Sequence, residues 1–401
     1  MRALWVTAEP PDRSLGGGHI RQAHLIERLA DAVDVELLCV GDVDDPRVRA
    51  AVGAVTTVAT PPPLEFGSTT RRRVEDLRRA VRSQPSEVIA HDRERALLRP
   101  LLERRGACDV ILVDHAGLAP LVEHRRQDEA WCNTLQNVAS VRTSQEIEHT
   151  RGRRQRWLLE RDATKARRFE RWVLGTYDLV FAVSEDDADD LPGPTAVVPN
   201  GVDLERFRPS PVPSEPHVVL TGTLGYLPNV DGSLWFVREV WPLVRAEVPG
   251  ARLTMVGRNP VPEQLALRDS GIHVEANVPD VLPFLEGARL AIVPLRIGSG
   301  TRLKALEALA AGRPVVGTPI GLGGLRLQRG EEVFEASTAA DFAAAVCRVL
   351  VDDNLAARLA AAGRAAAERY SWDEIGARFA DRVVDLAAQA GQRRRAPRSS
   401  S

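Results

Sequence analysis

Short apolar runs of strand length alternate with helical patterns along nearly the whole chain, and the alternation is broken once. Before the break, residues 4–8, 35–40, 109–113, 131–135 and 179–183 read as buried strands. After it, residues 218–220, 253–256, 272–274, 290–293 and 315–316 do the same. Helical patterns lie between: an apolar stripe through Ile20, Ala23, Leu25, Ile26 and Leu29, a long charged stretch over 145–174, and segments at 232–247 and 341–351. Strands that alternate with helices build parallel sheets through crossover connections. The break is Val198-Pro-Asn-Gly-Val-Asp203, followed by Pro209, Pro211, Pro213 and Pro216, and it reads as a linker. The expected fold is therefore α/β with two parallel-sheet domains, residues 1–207 and 208–371. A last helix over 372–391 opens on a capping-box pattern from Ser371 to Glu374. Residues 392–401 read as a basic, disordered tail.

Composition narrows the function classes. A length of 401 residues suits two domains, and 44% hydrophobic content supplies their cores. A net charge of -2 argues against an electrostatic nucleic-acid binder. The apolar stretch after Met1 is too short for a secretory signal and reads as a first strand. No apolar run is long enough to span a bilayer. Cys39, Cys108, Cys132 and Cys347 are scattered without a C-x-x-C pair, so reduced thiols in a cytoplasmic protein are expected, and no metal site. Residues 71–82 are strongly basic, and read either as a solvated helix or as a contact to the inner membrane face.

The most informative segment runs from Pro294 to Thr318: strand end, Gly-rich loop, short helix, turn, strand. Gly298, Ser299 and Gly300 lead into Thr301, and glycine lets backbone approach a ligand closely. Unpaired N–H groups at a helix start attract phosphate. Lys304 and Glu307 are three residues apart and share a helix face, while Leu303, Leu306 and Ala310 lie on another that packs on a sheet. A cation there neutralises phosphate oxygens, and a carboxylate accepts from a ribose diol. The alternative is a Gly-rich turn with a solvated Lys–Glu pair. The chain holds only two lysines, Lys165 and Lys304, every other strong cation being arginine.

These blocks together resemble the GT-B glycosyltransferases, and within them the nucleotide-sugar-dependent retaining class known as family four. The marks are Gly16-Gly-Gly18 after the first strand, the block from Val183-Ser184 through Asp203, the 294–318 segment, and Tyr370-Ser-Trp372. The resemblance implies two Rossmann-like domains facing across a cleft, with the donor nucleotide on the second, the acceptor mostly on the first, and the last helix crossing back to the first. It implies ribose binding by Glu307 and donor contacts from Gly17, Gly18, Gly222, Arg258, Ser299, Gly300, Thr301 and Arg302. The chain departs from the family pattern at three places. Ser299 stands where a glutamate is usual. The stretch from Gly222 to Asn229 lacks the usual Arg and Lys, with Thr223 and Asn229 in their places. Gln136 stands where a histidine is common. The missing cation is then expected from Lys304, Arg302 or Arg258, and catalytic roles from Lys304, His115 and Gln136, with Asp114 near them; His19 is a further candidate contact.

The implied reaction moves a hexose-type sugar from a nucleotide-diphosphate sugar to a hydroxyl acceptor (a glycan, a lipid-linked molecule or a small molecule) with retention. Cations in place of a metal neutralise the leaving diphosphate, and no cofactor is needed beyond the donor itself. The other readings are a GT-B phosphorylase or epimerase, and a non-catalytic nucleotide-sugar-binding homologue.

Overall fold

The computed structural model describes residues 1–59, 93–136, 138–150, 152–270, 272–298 and 300–395. The basic stretch 71–82, Asn137 and Ser299 lie outside the described residues. The chain divides into two compact units: Met1–Pro199 with Ile375–Ser401, and Asn200–Glu374.

The first unit is built on a seven-stranded parallel sheet in the order β3-β2-β1-β4-β5-β6-β7. Its strands are β1 (Arg2–Thr7), β2 (Asp34–Val40), β3 (Ala54–Val58), β4 (Val110–Asp114), β5 (Ala130–Thr134), β6 (Leu179–Ala182) and β7 (Thr195–Val197). β1, β2, β4 and β5 are buried almost throughout, which is why they read as continuous apolar runs. On one face Leu4, Val6, Ile111, Val113 and Trp131 pack with Leu118, Phe169 and Val173. On the other, Phe379 of the final helix, Trp372–Arg395, meets Phe181 at 4.7 Å and Trp5 at 5.9 Å, both edge-on. That helix runs on to Arg395, into the basic stretch that the sequence suggests is a tail. The charged stretch 145–174 is two helices, Ala139–His149 and Arg153–Leu174, the second with Gly152 as its N-cap.

The second unit holds a six-stranded parallel sheet in the order β10-β9-β8-β11-β12-β13. Its strands are β8 (His217–Thr223), β9 (Arg252–Arg258), β10 (His273–Ala276), β11 (Leu290–Val293), β12 (Val315–Gly317) and β13 (Phe334–Glu335). The prolines at 209–216 belong to this unit and are not a free linker. Buried Arg313 donates to the carbonyls of Ser210 and Pro211, and buried Arg289 donates to that of Pro213 at 3.2 Å. The chain changes unit earlier, at Pro199 and Asn200, and returns between Glu374 and Ile375. Val202 bridges to Ser371, and its N–H donates to the Tyr370 carbonyl at 2.8 Å, so the two crossing segments lie side by side within this unit. The helix expected over 232–247 begins earlier, at Leu227 with Pro228 in its first turn, and passes through one π-helical stretch, Phe236–Val240.

Each sheet reverses its strand order once, between β1 and β4 in the first and between β8 and β11 in the second. In open α/β sheets such a reversal leaves a crevice at the carboxyl ends of the strands, because the two connections leave in opposite directions.

Candidate functional site

At the second unit's reversal, the loop after β11 turns through Gly298 and Gly300 into the helix Leu303–Ala310. The helix starts two residues later than Thr301, and Arg302 takes the N-cap position without a side-chain cap. Thr301 is buried and used structurally. Its hydroxyl accepts from the Asn200 N–H at 2.7 Å, and its carbonyl accepts from Asn200 Nδ2 at 3.0 Å. Asn200, at the unit boundary, thus pins the Gly-rich loop. By sequence Asn200 belongs to the linker, because nothing local joins it to a loop a hundred residues away. Asn200→Ala is expected to lower stability by about 1–2 kcal/mol, since it removes the Nδ2 donor and leaves the carbonyl of buried Thr301 without it, while the backbone N–H still meets the Thr301 hydroxyl. A urea titration with an unchanged midpoint would contradict this.

Arg302 turns back on its own loop. Its Nε donates to the Ile320 carbonyl at 3.1 Å, and its guanidinium lies under Gly298, where a Cβ would fall 2.8 Å from Nη2. Arg296, on the same loop, is held by Asp231 at 2.6 and 2.9 Å and sits over the Trp235 ring. Arg258 closes β9, with its carbonyl accepting from the Gly225 N–H.

Lys304 reaches the crevice itself. Its Nζ donates to Asn229 Oδ1 at 2.5 Å, and Asn229 Nδ2 donates to the Thr223 carbonyl at 2.6 Å. Gly222, at the end of β8, has φ 138°, and a Cβ there would lie 2.8 Å from Lys304 Nζ. The glycine makes room for the ammonium, and the asparagine orients it. Burial pulls the lysine down to about 7, with Arg302 adding to the effect and Glu307 opposing it. One turn on, the half-buried Glu307 accepts no hydrogen bond from any described residue. Burial raises its pKa and Asp280 adds to this, while Arg206 and Lys304 oppose it. Arg206 and Asp280 are themselves paired at 2.8 Å. The crevice therefore offers a desolvated cation and, on the same helix face, a carboxylate without a hydrogen-bond donor among the described residues, a set able to hold a polyphosphate and a diol.

At the first unit's reversal, helix Gly17–Ala30 follows β1, and β4 ends in Asp114. Asp114 is 2% exposed and accepts from the Thr134 hydroxyl, from Gln22 Nε2 and, at 3.4 Å, from Gln136 Nε2. Burial raises its pKa against the pull of Thr134, His115, Gln22 and Arg21. Gln136 lies across the start of the helix, where a Cβ on Gly18 would fall 2.0 Å from its Oε1. Gly18 is the second residue of this helix, where a Cβ gains less than the about 1 kcal/mol it gains in a helix interior. The atoms it would meet are the far end of a flexible side chain, which swings aside by leaving Asp114. Gly18→Ala is therefore expected to be more favourable in a Gln136→Ala background than in the parent, and equal shifts of melting temperature in the two backgrounds would overturn that contact.

His115 adopts φ 76° and its Nδ1 accepts from the Gly117 N–H at 3.1 Å, so that ring nitrogen serves the turn after β4. His19 pairs with Glu9 at 3.1 Å and the Pro10 carbonyl at 2.7 Å; the Glu9 contact, more than anything else, holds its pKa up. Gln22 escapes the sequence reading because a polar residue within a helix pattern carries no sign of what it faces. Among the described residues no cluster of three or more His, Cys, Asp or Glu side chains is placed to hold a metal ion.

Two family models match the chain: Glycosyltransferase Family 4 over residues 15–206 and Glycosyl transferases group 1 over residues 215–352. The chain belongs to this glycosyltransferase family, and its two parallel-sheet units have the GT-B architecture. It is similar to a D-inositol 3-phosphate glycosyltransferase of Xylanimonas cellulosilytica, 29% identical over 56% of this chain and 60% of that protein. It is also similar to a GDP-mannose-dependent alpha-(1-6)-phosphatidylinositol monomannoside mannosyltransferase of Mycobacterium tuberculosis, 31% identical over 47% of this chain and 56% of that one. The chain thus spans about 60% of the first of these curated relatives. Among solved structures, sucrose-phosphate synthase from Thermosynechococcus elongatus superposes with a TM-score of 0.72 over 97% of this chain and 99% of that one, at 17% identity.

Proposed function

We propose that this chain transfers a hexose-type sugar, with retention, from a nucleotide-diphosphate sugar to a hydroxyl acceptor. The observation that carries the reading is Lys304, set under Gly222 at the strand-order reversal with Glu307 open one turn away. In this reading Lys304 meets the diphosphate, Glu307 takes the ribose diol, and Gly300 brings backbone close to the phosphates. As the anomeric C–O bond breaks, negative charge grows on the leaving phosphate, and a preorganised cation there lowers the barrier. The acceptor's proton passes to that phosphate, and Lys304 and its neighbours do the neutralising a metal would otherwise do. Both curated relatives are named as glycosyl- or mannosyltransferases, which supports sugar transfer and leaves base, sugar and acceptor open.

A melting screen over nucleoside diphosphates and nucleotide sugars tests this, because a ligand of the folded state raises the melting temperature by mass action. At least one nucleotide sugar is expected to stabilise the protein, and the same compound to be hydrolysed or transferred. Stabilisation without turnover over a broad acceptor panel would favour a non-catalytic binder. No stabilisation by any of them would remove the proposal.

A further inference from the structure

The helix Arg153–Leu174 presents an outward face with no role in either crevice. Its inward face is conventional: Ala163, Ala166, Phe169, Val173 and Leu174 are buried against the first unit. Its outward face carries Trp157, 49% exposed, and Trp172, 53% exposed. Among the described residues these are the two exposed tryptophans, Trp5, Trp131, Trp241 and Trp372 being buried and Trp235 half-buried. Fifteen residues separate them, just over four helical turns, so they point to the same side about 22 Å apart. Arg154, Arg161, Arg168 and Arg171 are exposed on the same face. Arg161 sits over the Trp157 ring at 4.9 Å, and Trp172 meets Phe169 edge-on at 6.2 Å, so both indoles are held in place.

The three carboxylates of the helix lie off this strip or are engaged elsewhere. Glu170 is buried and accepts from the Ala139 and Ser140 N–H groups, Glu160 pairs with Arg156 at 3.1 Å, and half-buried Asp162, five residues after Trp157, falls toward the inward side of the helix. The result is a basic strip with an indole near each end, on a chain whose net charge is -2.

We propose that this face binds an anionic lipid bilayer, with the guanidinium groups on lipid phosphates and the two indoles in the headgroup layer. Charge complementarity selects an anionic surface, and the tryptophans select a bilayer over a purely polar polyanion. Indoles settle at the membrane–water boundary, and arginines near an anionic leaflet add attraction one by one. Among the described residues no helix is long and apolar enough to cross a membrane, so the contact is peripheral. The helix pair 139–174 enters the chain directly after Gln136, so a bilayer on this face would lie on the insertion that follows the carboxyl end of β5. The proposal does not depend on the donor-site reading.

The test is sedimentation of the full chain with vesicles of phosphatidylcholine alone and with about one-third phosphatidylglycerol, at roughly 0.1 M salt. Binding is expected only with phosphatidylglycerol present. Trp157→Ala with Trp172→Ala, and separately Arg161→Glu with Arg168→Glu, should each weaken it by about tenfold or more. All four side chains are solvent-exposed, so unchanged melting temperatures will show that the variants fold. Absence of binding by the parent would overturn the proposal, and so would unchanged binding by either variant. Equal binding to neutral vesicles, or competition by single-stranded RNA that survives the tryptophan substitutions, would also overturn it.

Discussion

Lys304→Met should abolish most of the affinity for a nucleotide-diphosphate sugar and at the same time make the ligand-free protein more stable. The two effects share a cause. A hydrogen-bonded cation on a phosphate contributes about 1.5–3 kcal/mol, or roughly 10–100-fold in affinity, and its loss at the leaving oxygen costs roughly another hundredfold or more in turnover. Without a bound anion the same ammonium is a desolvated charge. Its pKa falls from the lysine value of 10.5 to about 7 in the fold. Between those values the unfolded chain binds more protons than the folded one, so stability from this group rises as pH climbs from 7 towards 10.5. Below pH 7 the penalty is present in full. Methionine removes it, so the variant's advantage in melting temperature should be largest at and below neutral pH and fade in alkali. A variant less stable than the parent at pH 6 would contradict this account of Lys304, and so would one that keeps its donor affinity.

Glu307→Ala should separate ribose from phosphate. Among the described residues of this helix face, the Glu307 carboxylate is the group suited to accept from a diol. Its removal should weaken a nucleoside diphosphate by about 10–100-fold, the range for hydrogen bonds to a charged acceptor. Inorganic pyrophosphate, which has no ribose, should bind the variant as it binds the parent, or slightly better because a negative charge has gone. Lys304→Met should lose both ligands. Calorimetric titration of both ligands into both variants checks the pattern. Equal losses for pyrophosphate and nucleotide in Glu307→Ala would mean that the glutamate acts by holding Lys304 and not by meeting a ribose.

Much of this arrangement was legible in the sequence, for physical reasons. Fully buried parallel strands must be apolar on both faces, so β1, β2, β4, β5, β8, β9 and β11 stand out as runs. β3, with its mixed exposure, and the two- and three-residue strands β13 and β7 do not. Lys304 and Glu307 were legible because their spacing is local and lysine is rare in this chain. Asn200, Asn229 with Gly222, and Gln22 with Asp114 depend on contacts between distant segments, which no local pattern encodes. The proline-rich segment misled for a related reason. Proline marks a chain that cannot be helix or central strand, but the carbonyls it leaves free are what Arg289 and Arg313 bind, and this draws the segment into the second unit. The Gly-rich lead-in puts the helix start at Thr301, but the Thr301 hydroxyl and carbonyl are committed to Asn200 and the helix begins at Leu303.

The central claim is that Lys304 is the cation of a diphosphate site, and proton uptake on binding tests it most directly. A nucleotide sugar carries no group of its own that titrates near neutrality. At pH 8 a lysine with a pKa of about 7 is mostly neutral, and a bound diphosphate should restore its proton. Calorimetry in two buffers of different ionisation enthalpy should therefore find uptake approaching about one proton per donor bound by the parent protein, and none by Lys304→Met. Binding by the parent without proton uptake, or the same uptake in the variant, would contradict the claim.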